Sequence, residues 1–342
     1  MGRPTIRDLA QAAGLSVATV NRVLSGAANV RQPTRQQVQD AATRIGFYGL
    51  GAIQSRVAAA LPRLRFGFLL LQPHRPFYQN TARAIRAANS AVTDAEIEVQ
   101  IEFLEDLSPQ NTATRALALA QTCDAISITS AVHPQVLQAI EQIQGTGKPV
   151  FGFISQLSPS GQVHYVGLDN WKVGRTAAWA VMMMCKAPGK IGILMGNPRF
   201  RNQEMNEAGF RSYFREFGRD FTLLEPVPTF EAAAVAQEIT EKLVRDHPDL
   251  AALYVAGGSI TGVLAALQGF RRREEMVVVG YELMDVTRAA LLDGTMTLAI
   301  AHPLDRMAKA LLLAMTGACL SAATGRSWTS VVPFEIFTRE NI

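Results

Sequence analysis

Thr5-Ile-Arg-Asp-Leu-Ala-Gln-Ala-Ala-Gly-Leu-Ser-Val-Ala-Thr-Val-Asn-Arg-Val-Leu-Ser-Gly26 reads as two short helices about a glycine turn. Thr5 with Asp8 three residues on has the form of a capping box, which satisfies the free amides that open a helix. Ile6, Leu9, Ala10 and Ala13 then recur at helical spacing and give one apolar stripe. Gly14 takes a left-handed turn at least cost. Ser16 follows as a new N-cap, and residues 17–25 form a second helix. At about 100° per residue, Val20, Val23 and Leu24 share one side, while Val17, Ala18, Asn21, Arg22 and Ser25 share another. The first set packs on helix one; the second is left for something outside. Thr34 is expected to cap a third helix, with Val38, Ala41, Ala42 and Ile45 as its inner stripe.

Charge concentrates in the same region. Residues 1–65 hold nine arginines, no lysine and two acids, a net of +7, so the remainder carries −3 of the chain's +4. A basic head on a slightly acidic body points to a polyanion-binding module joined to a body with another task. Two helices about a glycine turn, braced by a third, form a helix-turn-helix, whose second helix fits the DNA major groove. There Arg22 can donate to guanine in bidentate fashion, Asn21 can reach a base or a phosphate, and Val17 and Ala18 suit thymine methyls. A plain three-helix bundle with a solvated basic face is the alternative.

Residues 5–26 closely resemble the DNA-binding headpiece of the lactose-repressor (LacI/GalR) family. The resemblance rests on the spacing of Ala10, Gly14, Ser16, Thr19-Val20 and Arg22-Val23-Leu24, and on Asn29-Val30 to Thr34-Arg35 at the start of helix three. It implies that Val17, Ala18 and Arg22 read bases, and that Thr5, Ser16, Thr19, Asn21, Asn29 and Thr34 contact phosphates. Residues 47–65 depart from the family, whose members carry a proline-asparagine step and a hinge helix with a leucine wedge. Here a helix over residues 52–61 would place Arg56 where the leucine is expected. Arg56 entering a narrow A·T-rich minor groove, Val57 as the wedge, and a plain alanine-rich linker helix all remain open readings.

From Arg65 onward, buried-strand runs alternate with helical stretches, the rhythm of parallel sheets flanked by helices. The expected strands are 66–71, 97–103, 125–128, 150–154, 163–168, 191–195, 252–255, 277–280 and 296–300, with helices between, for example 81–92, 110–121, 171–184 and 232–245. The organisation expected is an all-α headpiece (1–48), a hinge or linker (49–64) and an α/β body (65–342) of two doubly wound parallel-sheet lobes. Lobe one is expected over about 65–165 plus 296–330, and lobe two over about 166–295.

Ligands of such sheets sit at the carboxyl ends of strands. The exits carry His74, Phe77 and Tyr78; Ser155 and Gln156; Trp171; Asn197 and Arg201; Ser259; Glu282; and His302. Rings stack on a pyranose and amides or carboxylates satisfy its hydroxyls, so this set points to a sugar pocket. The body is similar to type I periplasmic sugar-binding proteins, through Pro76-Phe77-Tyr78, Tyr165-Val-Gly-Leu-Asp-Asn170, Ala208-Gly209-Phe210, Gly280-Tyr281-Glu282 and Ile300-Ala301-His302. Two departures bear on the ligand. Asn206 stands where that family's ligand-binding arginine is usual, with Arg201 or Gln203 able to compensate, and Gly257-Gly258-Ser259 replaces an acidic turn. Both changes are expected to widen the site and remove charge.

No zinc-protease, paired-cysteine or nucleophile-elbow motif occurs, and Gly145-Thr-Gly147-Lys148 followed by Pro149 lacks the parts of a phosphate loop. No catalytic residue, metal or cofactor is therefore expected. Glu282 and His302 as acid and base of a sugar-modifying enzyme, and an architectural DNA binder without effector, are the alternatives. The expected protein is a cytoplasmic homodimer or higher homo-oligomer. Its partners would be operator DNA and a small, carbohydrate-like effector, with no membrane partner.

Overall fold

A computed structural model describes residues 4–25, 27, 30–47, 61–157, 163–218, 220–270, 276–321 and 329–342. The chain divides into a small N-terminal unit and a large one. The N-terminal unit is built from α1 (Ile6–Ala13), α2 (Val17–Leu24) and α3 (Gln32–Ile45). The Thr5–Asp8 capping box is present: the Thr5 amide donates to Asp8 Oδ2 at 2.7 Å, and the Asp8 amide donates to Thr5 Oγ1 at 3.4 Å. The Thr5 amide first, and then the Thr5 hydroxyl at 2.7 Å, both donating to Asp8 Oδ2, hold the Asp8 carboxyl below its usual range. Gly14 closes α1 at φ 63°, and Ser16 Oγ accepts from the Thr19 amide at 3.1 Å to open α2. Leu9, Ala10, Ala13, Val20, Val23, Val38, Ala41, Ala42 and Phe47 form the core. The third helix begins earlier than expected. Its N-cap is Arg31, Pro33 lies in the first turn, and Thr34 is already helical rather than the cap. Proline, which needs no amide partner there, moves the start forward.

The large unit holds two sheets. The first runs β12 (Thr329–Val331), β5 (His164–Gly167), β4 (Val150–Phe153), β3 (Ala125–Ile128), β1 (Arg63–Leu71), β2 (Glu96–Leu104). The second runs β13 (Glu335–Phe337), β11 (Leu298–Ala301), β10 (Val277–Tyr281), β9 (Leu250–Val255), β6 (Lys190–Met195), β7 (Thr222–Leu223), with β8 (Val227–Pro228) also on β6. In the first sheet β1–β3, β3–β4, β4–β5 and β5–β12 pair in parallel; in the second β6–β7, β6–β8, β6–β9, β9–β10 and β10–β11 do so and β11–β13 is antiparallel. Each order reverses beside its first strand, the topological switch point of doubly wound sheets. Strands such as β3 and β4 are buried throughout, which is why they read as unbroken apolar runs rather than alternation.

The helices are α4 (Pro76–Ala88), α5 (Pro109–Thr122), α6 (Pro134–Gly145), α7 (Asn170–Met184), α8 (Arg201–Phe217), α9 (Ala233–Asp246), α10 (Ile260–Leu267), α11 (Asp285–Leu292) and α12 (Leu304–Leu320). Three of them start on proline, including α4, which begins five residues before the expected Thr81. Lobe membership differs from expectation in one respect. The strand over 298–301 belongs to the second sheet, and only α12, packed against α4, and β12 return to the first. The chain thus crosses between lobes after β5, after β11 and after β12.

Helices α7 and α8 cross through glycines. A methyl on Gly174 would overlap the Asn206 carbonyl, and one on Gly209 the Trp171 carbonyl. Both obstacles are backbone and have no rotamer to yield. Gly174→Ala and Gly209→Ala are each expected to lower stability by about 1–3 kcal/mol, read as a lower urea midpoint. Gly145→Ala, with open space around it, is expected to leave the midpoint unchanged or raised.

Candidate functional site

The outward face of α2 is the one expected from its spacing. Val17, Ala18, Asn21 and Arg22 are exposed, whereas Val20 and Val23 are buried in the three-helix core. Thr5 and Ser16 are exposed, and the Thr19 hydroxyl lies 2.8 Å from that of Ser16, so one small polar patch sits at each helix start. Thr34 is half-buried within α3. Asn29 and Arg56 lie outside the described residues, as does the expected hinge helix over 52–61 except for its last residue. Arg35 does not belong to the exposed basic set. It is buried, and its guanidinium donates to the Val30 carbonyl at 3.0 Å and the Ala27 carbonyl at 2.9 Å, fastening the α2–α3 loop.

In the large unit a cavity of about 330 Å³ opens where the strand exits of the two sheets meet. Of the residues expected there, His74, Phe77, Tyr78, Asn206, Ser259, Glu282 and His302 line it. Ser155, Gln156, Trp171, Asn197 and Arg201 do not. Ser155 is fully buried and its hydroxyl accepts from the Asn202 amide at 3.4 Å, a tie between lobes. Gln156 is half-buried beside it and Trp171 is exposed on α7. Asn197 Oδ1 is taken by the Arg199 amide at 2.9 Å, and Arg201 turns to Glu204 at 2.8 Å. A strand exit locates a residue; the turn decides where its side chain goes.

The acidic turn replaced by glycines does not leave the site without charge, contrary to expectation. Glu231, at the exit of β8, extends its carboxylate into the space that side chains at 196 and 258 would fill. Arg75, from the opposite lobe, donates through Nη1 to Glu231 Oε2 at 2.7 Å and through Nη2 to the Glu231 carbonyl. Gln203 Nε2 donates to Glu231 Oε1 at 2.7 Å, and Gln203 Oε1 accepts from the amides of Gly196 and Asn197 at 2.7 and 3.0 Å. The Arg75 and Glu231 side chains are 20% and 7% exposed, so this is a buried inter-lobe pair. The Val132 amide, donating to the Arg199 carbonyl at 2.8 Å, adds a further tie.

A second pair faces the cavity. His302 Nδ1 lies 2.5 Å from Glu282 Oε1, and the His302 amide donates to Glu282 Oε2 at 3.3 Å. Phe77 packs on the His302 ring at 5.6 Å and on Tyr78 at 5.1 Å. Tyr254, stacked on Phe210 at 4.2 Å, meets the Tyr281 hydroxyl at 2.9 Å beneath the floor. Burial, then the nearby Glu231, lifts the Tyr78 hydroxyl far above the usual phenol range; burial and Tyr254 do the same to Tyr281. Both stay protonated at neutral pH. Among lining side chains, Asn202 Oδ1, Asn206 Oδ1, Ser259 Oγ and His302 Nε2 are buried without a protein partner.

Backbone strain marks the same place. The described non-glycine residues with left-handed φ are Gln72 (26°), Ile154 (68°), Phe230 (51°), Glu231 (62°), Ser259 (52°) and Glu282 (70°). Each follows a parallel strand, and four of them line the cavity. Such conformations cost about 1–3 kcal/mol apiece and persist where surrounding structure imposes them. Arg75 sits beside His74 at the first strand exit and Gln203 is the substitute the sequence offers for the missing arginine, whereas Glu231 carries no sequence signal.

Two family models match the chain: bacterial regulatory proteins of the lacI family over residues 5–49, and a periplasmic binding protein domain over residues 66–319. The chain is 24% identical over 322 residues to the HTH-type transcriptional regulator GalS of Salmonella typhimurium, covering 92% of this chain and 90% of that protein. It is 23% identical over 313 residues to the HTH-type transcriptional regulator DegA of Bacillus subtilis, covering 89% and 88%. Among solved structures, an ABC transporter solute-binding protein from Agrobacterium vitis bound with α-D-tagatopyranose matches with a TM-score of 0.73 at 18% identity, over 81% of this chain and 95% of that one. That likeness establishes the fold of the body.

The two arginines of the N-terminal unit separate by experiment. Arg35→Ala strips the part-buried Val30 and Ala27 carbonyls of their donor and is expected to cost about 1–3 kcal/mol of headpiece stability. Arg22→Ala, at an exposed position, should leave the helical circular dichroism melt within about 0.5 kcal/mol of wild type.

Proposed function

From membership of the lacI family of bacterial regulatory proteins, to which this chain belongs, we propose a sequence-specific repressor whose grip on its operator is set by a small polyhydroxylated effector in the cleft. The headpiece contributes the α2 face, with Arg22 on guanine and Val17 and Ala18 against thymine methyls. Thr5, Ser16, Thr19, Asn21, Asn29 and Thr34 serve the phosphates, and Arg56 the hinge. A cytoplasmic homodimer sets two such faces on adjacent half-sites of a pseudo-palindrome, as two-fold symmetry requires.

The observation that carries the effector reading is the set of buried lining atoms without protein partners, Asn202 Oδ1, Asn206 Oδ1, Ser259 Oγ and His302 Nε2, beside the ring of Phe77. Buried polar atoms ask for partners, and ring faces suit a pyranose. We read Glu282 and His302 as a hydrogen-bonding pair for such a ligand, not as an acid and base that turn it over. Sugars bound by fold relatives, D-tagatose among them, are the first probes. The lobes supply the switch. A ligand that favours one lobe arrangement shifts the segment around residues 50–61 toward or away from its DNA-bound form, with coupling of about 1–3 kcal/mol.

Three measurements test this reading. In a binding-site selection, Arg22→Ala is expected to relax base preference at one position of each half-site, with a loss of about 1–3 kcal/mol on the preferred operator. In operator titrations, Phe77→Ala and His302→Ala are expected to blunt the effector response while leaving effector-free affinity within about two-fold of wild type. The purified protein should return an added sugar chemically unchanged.

A further inference from the structure

Among the described residues that line the cleft, the charged groups are arranged so that the one guanidinium is already paired. Arg75 is the guanidinium facing the cavity, and both its terminal nitrogens are committed to Glu231, one to the carboxylate and one to the carbonyl. The carboxylate opposite it is equally committed, since Gln203 holds its second oxygen at 2.7 Å. Glu282, the other lining carboxylate, is engaged by His302. The remaining lining histidine, His74, has a side chain 63% exposed and lies 3.6 Å from Glu105.

The partnerless atoms point the same way. Asn206 spends Nδ2 on the Ala256 carbonyl at 2.9 Å, so the atom it turns to the cavity is an acceptor. His302 sets Nδ1 against a carboxylate oxygen, and the tautomer that donates there leaves Nε2 as an acceptor. Asn202 Oδ1 is a third acceptor, and Ser259 Oγ both accepts and donates. These partnerless atoms are met by a ligand that brings donors. Hydroxyl groups bring them; a phosphate or carboxylate brings only acceptors and negative charge.

The lock on Arg75 is built, not incidental. Glu231 and its neighbour Phe230 both sit at left-handed φ, 62° and 51°, which lifts the carboxylate off the β8 exit. Glycines clear its path: a methyl at 196 or 258 would meet the Glu231 carboxylate, and one at 257 would lie 2.6 Å from Gln203 Cγ.

Resting on the effector reading above, we propose that Glu231 sets the charge class of the effector. By holding Arg75 it denies the guanidinium to an anionic ligand, so the cleft takes an uncharged polyhydroxyl compound and rejects its phosphorylated and carboxylate forms. Without Glu231, Arg75 becomes a fork of donors aimed at the same space, and anions gain a charge-assisted contact.

The test is calorimetry on the full chain with D-galactose, D-galactose 6-phosphate, D-galactonate and inorganic phosphate. The proteins compared are wild type, Glu231→Gln, Arg75→Gln and the Arg75→Gln/Glu231→Gln double variant. The double variant measures whatever anion binding the basic headpiece contributes. Wild type is expected to match that background for all three anions. Glu231→Gln is expected to bind the 6-phosphate about ten-fold or more above it. Two results overturn the proposal: anion binding by wild type above the double variant, or no gain in Glu231→Gln with a wild-type melting temperature. Should Glu231→Gln fail to fold, Arg75→Gln decides, because equal anion binding by it and wild type supports the lock and a fall in Arg75→Gln refutes it. The reading beneath fails separately, on neutral sugars that leave operator affinity unmoved.

Discussion

The Arg75–Glu231 pair joins the two lobes through the space where a ligand would lie, and the geometry of the cleft follows from it. Moving two such charges out of water costs several kcal/mol each, and their attraction repays this only when the remaining hydrogen-bonding capacity is met. Here it is met in sequence. Backbone amides of Gly196 and Asn197 fix Gln203, Gln203 fixes one Glu231 oxygen, and Arg75 takes the other. A line of bonds therefore runs from the first strand exit of lobe two into lobe one. The glycines at 196, 257 and 258 and the strained turn at 230–231 are conditions for that line, since each keeps the carboxylate where Arg75 finds it.

The lobes divide the work of recognition. Lobe one presents Pro76, Phe77 and Tyr78 from the start of α4, an apolar and aromatic wall. Lobe two presents Asn202, Asn206 and Ser259, whose free atoms accept or exchange hydrogen bonds. One side suits the hydrophobic face of a sugar ring and the other its hydroxyl edge. His302 belongs to neither side alone, because it is the first residue past β11, where the chain passes back from lobe two to lobe one.

Legibility from sequence followed the range of the interactions. The headpiece was read nearly to the residue because caps, the Gly14 turn and the α2 stripe act within three or four positions. The one miss there, Thr34, came from weighing a cap residue above Pro33, which starts the helix earlier. In the body, buried strands announced themselves as apolar runs, and exits were located from their ends. Side-chain direction at those exits was not legible. Ser155 looked like a ligand group and is a tie to Asn202; Arg201 looked like a substitute guanidinium and turns to Glu204. Glu231 was missed outright, because its partner is 156 positions away and its placement depends on φ values that sequence spacing does not encode.

A lobe-based switch works only if a ligand prefers one arrangement over another. Contacts such as Val132 to Arg199, Ser155 to Asn202 and Arg75 to Glu231 exist only while the lobes are together, so they weight that arrangement before any effector enters. A ligand adds to the same side of the balance by spanning the aromatic wall and the free acceptors at once. If it met only one lobe, it would bind both arrangements alike and shift nothing, however tightly it held. The placement of rings on one lobe and acceptors on the other therefore matters more than total affinity. His302, held by Glu282 at the crossing between lobes, is where occupancy of the cleft bears most directly on the segments that join them.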